Sequence, residues 1–168
     1  MTKRLTSADD AAGIGQRKSA VQMNPMFTGR DFSVNHNSCF VLMPFNQKLK
    51  PVYEDHIKKV VVSLGLECKR ADDIFLNTAI IEDIWESINR ARFLIADLTD
   101  KNPNVFYEVG IAHTVGKSVI LLTQRIKDVP FDLRHLRHIE YKYTPRDMKV
   151  FEEQLESTIL NVLGRSTK

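Results

Sequence analysis

The sequence has little that would tie it to a secretory pathway, a membrane or a nucleic acid. Its two cysteines, Cys39 and Cys68, are too few for a disulfide framework or a cysteine zinc site. Each sits in an apolar, strand-like run where a free thiol acts as a small hydrophobe. No stretch approaches the roughly 18 consecutive apolar residues of a membrane span, and the N-terminus lacks the apolar core of a secretory signal. The expected location is therefore the cytoplasm, with no membrane partner. The 24 basic and 21 acidic residues leave a net charge of +3 with no dense basic block, too weak an imbalance to argue for nucleic acid. Internal repeats and low-complexity tracts are also lacking.

What is present fits one packed domain with an appendage. The chain has 168 residues, 43% apolar and 27% charged, an ordinary composition for a folded protein of one core. Residues 1–37 mix charges, glycines and scattered methionines without a sustained period of 2 or 3.6, and are expected to form a flexible or partner-dependent extension. The domain is expected to occupy residues 38–168.

Within it, apolar runs and amphipathic stripes alternate. Cys39-Phe40-Val41-Leu42-Met43, closed by Pro44, reads as a strand buried on both faces. Tyr53, Ile57, Val60, Val61 and Leu64 share a helical stripe, and Gly65 stands where a left-handed cap would end that helix. A strand over 66–71 follows, then a helix striped by Ile80, Ile81, Ile84, Trp85 and Ile88, then the short strand Phe93-Leu94-Ile95-Ala96. Asn102 and Pro103 open a helix to about Thr114 as N-cap and first-turn residue. A strand over 119–122, an edge strand over 139–143 and a last helix striped by Met148, Phe151, Leu155, Ile159 and Val162 complete the series. The expected fold class is α/β, a flavodoxin-like, doubly wound five-stranded parallel sheet of order 2-1-3-4-5.

In such a sheet ligands bind beyond the carboxyl ends of the strands, near the switch in strand order. That rule selects Met43 to Asn46, Arg70 to Asp73, Asp97 to Asp100, Thr123 to Arg125, and the helix entered through Lys101 to Asn104. Any one of Asp72, Asp73, Asp97 and Asp100 can equally be a helix cap or turn residue. Glu108 lies between Val105 and Ala112 at helical spacings of three and four, near the face that packs on the sheet. A carboxylate there is costly unless it is paired or solvated in a cleft; the bland alternative is a surface Glu at the edge of the helix.

The strings Ile95-Ala96-Asp97-Leu98-Thr99 and Asn102-Pro103-Asn104-Val105-Phe106-Tyr107-Glu108-Val109-Gly110-Ile111-Ala112-His113 resemble the signature of the nucleoside 2-deoxyribosyltransferase-like superfamily. They are similar also to TIR-like domains with the same core, and the match suits a divergent branch. The resemblance implies that Glu108 is the nucleophile attacking an anomeric carbon, through the oxocarbenium-like transition state of retaining glycosidases. Beside it, Asp97 is expected to grip sugar hydroxyls or transfer a proton to the leaving base, with Asp72 and Asp73 as further candidates. Met43 and Phe45 can wall the base, though an aromatic at a strand end is as often core. Asn46, Asn102 and Asn104 supply polar contacts at helix starts, and Ser87 is included by family analogy alone. His113 reads as a half-buried packing histidine and Trp85 as core. No third metal ligand can be placed beside His135 and His138, and no resident cofactor is expected.

The leading functional expectation is cleavage, by hydrolysis or base exchange, of the N-glycosidic bond of a nucleoside or nucleotide. The alternatives are a TIR-like NAD glycohydrolase active on assembly and a non-catalytic nucleotide-sensing or protein-interaction module. The resemblance also implies a homo-oligomer.

Overall fold

The computed structural model describes residues 23–71 and 80–165. Five parallel strands form one sheet in the order β2-β1-β3-β4-β5, as the alternation of apolar runs and stripes requires. The elements are β1 (Asn35–Leu42), α1 (Lys58–Ser63), β2 (Glu67–Arg70), α2 (Ile80–Arg90), β3 (Ala91–Asp97), α3 (Pro103–Thr114), β4 (Val119–Thr123), β5 (His138–Glu140) and α4 (Pro145–Val162). A π-wound segment, Val52–Ile57, runs directly into α1. The left-handed residue closing that helix is Gly65, at φ +77°, where a side chain would clash with the backbone.

Strand alternation divides the interior in two. Cys39, Val41, Phe93, Ile95, Ile120 and Leu122 face α1 and α4, where they meet Ile57, Val61, Phe151 and Leu155. Phe40, Leu42, Leu94, Ala96 and Leu121 face α2 and α3 and meet Ile84, Ile88, Val105 and Val109. Each helix covers the sheet because its apolar residues recur with the helical period, and residues 39–42, 93–96 and 119–122 of the central strands are apolar at every position because both of their faces are covered.

Two boundaries differ from the expectation for a physical reason. β1 begins at Asn35, ahead of the apolar run, because Asn35 pairs with Ala91 through its backbone while its side chain stays in water, which hydropathy cannot register. β5 ends at Glu140, and Tyr141 continues only by donating its backbone N–H to the Thr123 carbonyl.

The described part of the N-terminal extension lies on α2. Phe27 is buried and stacks on Trp85 with ring centroids 4.8 Å apart. The Trp85 indole N–H donates to the Gly29 carbonyl at 2.9 Å, and the Thr28 backbone N–H and hydroxyl donate to the Glu82 carboxylate. Trp85 is core only because this irregular segment covers it. Replacing Phe27 by Ala is expected to cost about 3 kcal/mol and to red-shift the emission of Trp85, the single tryptophan. Guanidinium denaturation followed by that fluorescence checks both.

Candidate functional site

Between Asp97 and Pro103 the chain turns from the central strand into α3. Asn102 ends the turn in extended conformation, and its side-chain oxygen accepts from the backbone N–H groups of Asn104 at 2.9 Å and Val105 at 3.4 Å. This cap and Pro103 set the first turn of α3 at the carboxyl ends of the strands. Val105, Val109 and Ala112 bury the helix face on the sheet. Glu108 is one residue off that stripe and is therefore half-buried, aimed at the space between α3, α2 and the end of β1.

That space is a cavity of about 490 Å³. Glu108, Asn102 and Asn104 line it from α3 and its cap, Met43 and Phe45 from the loop after β1, and Ile81 and Ile84 from α2. Leu42, Pro44, Ala71, Val105 and Tyr107 line the rest of the described wall. Burial raises the Glu108 carboxyl from its ordinary value to about 7, so near neutrality the group is divided between a proton donor and a carboxylate. Among the described lining residues Glu108 is the one carboxyl; flanked by two amides in a largely apolar cleft, it can meet a hydroxylated, flat or partly apolar molecule and offer it a nucleophile or a proton.

The structure thus brings together Glu108, Met43, Phe45, Asn102 and Asn104. Other expected residues lie elsewhere. Asp97 is fully buried and faces α1 and α4, on the side of the sheet away from Glu108; Tyr141 donates its hydroxyl to Asp97 at 2.5 Å and the Thr99 backbone N–H donates to it at 2.9 Å. Burial raises its carboxyl above the ordinary value, partly offset by the bonds from Thr99 and Tyr141. Its side chain holds the start of the β3–α3 turn and does not reach the cleft. Asn46 lies outside the lining, with its side-chain oxygen accepting from the Lys48 N–H at 2.9 Å. Ser87 is on α2 beyond Ile84 and faces a different hollow, with Asn35, Ser38 and Glu67. His113 is exposed instead of half-buried, at the edge of the buried stripe in the last turn of α3. Asp72 and Asp73 lie outside the described residues.

Sequence reasoning missed Tyr107, Ile81 and Ile84 as lining. The isoleucines sit in the apolar stripe that marks α2 as a core helix, and the one signal for Tyr107 in the sequence is its place beside Glu108. Tyr107, 52% exposed, is also the divide between the cleft and a second hollow of about 450 Å³ lined by Phe27, Trp85, Phe106 and Ile111. Among the described residues that hollow has no charged or amide side chain in its lining. Among the described residues no three His, Cys, Asp or Glu side chains converge as metal ligands, and no helix is long and apolar enough to cross a membrane.

A carboxyl whose pKa is raised by folding costs stability once it must ionise. The cost is absent below the unfolded value near 4.5 and is complete above about 7. Glu108→Gln is therefore expected to match the wild type at pH 4 and to be more stable at pH 8. The difference is on the order of 1–2 kcal/mol, reduced because the group remains partly in water. Thermal denaturation at the two pH values measures it.

Neither a protein-family model nor a curated protein sequence matches the chain. Solved structures do match it in fold. The TIR domain of a Toll-related receptor from Hydra magnipapillata aligns over 74% of this chain and 96% of its own, with a TM-score of 0.57 and 12% identity. A 2-deoxyribosyltransferase from Bacillus psychrosaccharolyticus aligns over 70% of this chain and 95% of its own, with a TM-score of 0.55 and 18% identity. A TIR-STING receptor from C. gigas aligns over 76% of this chain and 42% of its own, with a TM-score of 0.50 and 17% identity. The chain shares the α/β fold of TIR domains and of 2-deoxyribosyltransferases, the two groups its β3–α3 motif resembles.

Proposed function

We propose that this protein cleaves the N-glycosidic bond of a nucleoside or related N-glycoside, with Glu108 as the nucleophile. The observation that carries the reading is the placement of Glu108: half-buried, beside Asn102 and Asn104, in an otherwise largely apolar cleft at the carboxyl ends of the strands. The fold shared with a 2-deoxyribosyltransferase supports it.

In this reading the base lies against Met43, Phe45 and Ile84, and the amides of Asn102 and Asn104 meet sugar hydroxyls. The ionised Glu108 stabilises positive charge developing at the anomeric carbon and bonds to it as the base leaves with the glycosidic electron pair. The departing base takes a proton from water. A second water then releases the sugar, or a second base takes its place. The low-dielectric walls strengthen the attraction between carboxylate and oxocarbenium. The same walls disfavour ionisation beforehand, so the nucleophilic form gains population as pH rises through about 7. A phosphate near the carboxylate would be repelled, which favours neutral nucleosides over nucleotides.

Chromatographic detection of free base, from a panel of nucleosides, nucleotides and NAD, tests the proposal. The wild type is expected to release base at a rate that rises between pH 6 and 8 and then levels. Glu108→Gln is expected to lose at least about a hundredfold of that rate. Equal release by both proteins rules out Glu108 as nucleophile. Tight binding without release, at high protein concentration as well as low, points to a nucleotide-sensing module. Release from NAD alone, dependent on protein concentration, points to a TIR-like glycohydrolase that must assemble.

A further inference from the structure

The turn that delivers α3 to the cleft is built in an unfavourable backbone conformation. Asp100 and Lys101 are the two non-glycine residues with positive φ among those described, at +66° and +55°, and they are consecutive. A left-handed non-glycine residue costs about 1 kcal/mol or more, and two in succession persist only where surrounding contacts over-determine them.

Those contacts come from the loop after β4. The Asp100 backbone N–H donates to Asp128 Oδ2 at 3.1 Å, Arg125 Nε donates to the same oxygen at 2.8 Å, and Arg125 Nη2 donates to Asp100 Oδ1 at 2.7 Å. The backbone N–H of Gln124 donates to Thr99 Oγ1 at 3.0 Å. Asp128 is only 3% exposed. Burial would raise its carboxyl, but the Arg125 bond, the Asp100 N–H and the charges of Arg125 and Lys101 outweigh it and leave the group below the usual range. An ionised carboxylate is an expensive thing to bury for a surface turn, and a short apolar loop would serve stability as well. What the carboxylate fixes is the path of residues 99–101, and hence the position of the Asn102 cap and of the first two turns of α3.

We infer that Asp128 and Arg125 form a latch on the β3–α3 turn that positions Asn102, Asn104 and Glu108 in the cleft. Neither latch residue lines the cavity, so both are positioning residues. The catalytic part of the inference rests on the N-glycosidic reading above; the geometric part does not.

The test follows the Glu108 carboxyl by carbon NMR of glutamate-labelled protein, in wild type, Asp128→Ala and Asp128→Asn, with Trp85 fluorescence reporting that the fold is intact. Wild-type Glu108 is expected to titrate near 7. In folded Asp128→Ala the midpoint is expected to fall by at least about one unit as α3 loosens and water reaches the group. Asp128→Asn keeps an acceptor for the Asp100 N–H and is expected to recover at least half of that fall. If Asp128→Ala does not fold, Arg125→Met gives the same readout, since Arg125 is half exposed. A midpoint that stays at the wild-type value in the folded variant overturns the latch, because a merely stabilising role would lower the melting temperature without moving Glu108. If the wild type releases base, the variant is also expected to lose at least tenfold in kcat/KM, mostly in kcat, and an unchanged kcat overturns the inference. If the wild type releases none, the N-glycosidic reading fails while the titration still decides the latch.

Discussion

The central strand β3 must stay buried along nearly all of its length and must then change direction at once. From Ala91 to Asp97 every side chain except Arg92 is buried, since β1 and β4 flank the strand and helices cover both its faces. Such a strand is stable only with all its backbone groups paired and both surfaces dry. The chain then has five residues, 98–102, in which to leave the sheet and begin α3. Much else in the molecule follows from that hand-over: the buried Asp97, the left-handed pair Asp100 and Lys101, the Asn102 cap and the half-buried Glu108.

Two sets of polar groups hold the hand-over from opposite sides. Inside the sheet layer, Tyr141 and Thr99 bond Asp97. At the rim, Asp128 and Arg125 hold the Asp100 backbone and side chain. Each buried polar group is paired, as it must be where water cannot compensate it. Both sets tie the β3–α3 turn to the far end of the sheet, to β4, β5 and the segment between them. The start of α3, and Glu108 with it, is thus tied to elements remote in sequence, which is the kind of support that the proposed chemistry requires.

The cleft joins two opposed demands. In the proposed reaction an apolar surround strengthens the action of Glu108 on a developing cation, yet that surround raises its pKa to about 7 and withholds part of the ionised form at neutral pH. The position of Glu108 one residue away from the buried stripe of Val105, Val109 and Ala112 is a compromise: close enough to the core to be desolvated, far enough to keep contact with the cleft. One position on, Val109 lies in the sheet interface, and one position back, Tyr107 is 52% exposed.

Much of this architecture was legible from residue order. Uninterrupted apolar runs mark β1, β3 and β4, because strands covered on both faces have no solvent side to advertise. Helical stripes mark α2 and α4, and Asn102-Pro103 marks the start of α3, because these patterns follow from local geometry. The parallel order of the sheet followed from strict alternation, and the half-buried setting of Glu108 from its place beside an apolar stripe. Only the tertiary structure decided which face each rim side chain takes. Asp97 and Glu108 both belong to the β3–α3 unit, yet strand alternation turns Asp97 toward α4 while Glu108 faces α2. Ile84 and Ser87 share one helix and open onto different hollows. Phe27 reads as an isolated aromatic until Trp85 is beneath it, and Asp128 reads as one more loop carboxylate until its partner Asp100 arrives from 28 residues away. Periodicity is a property of neighbours along the chain; pairing between distant segments exists only once the sheet has brought them into contact.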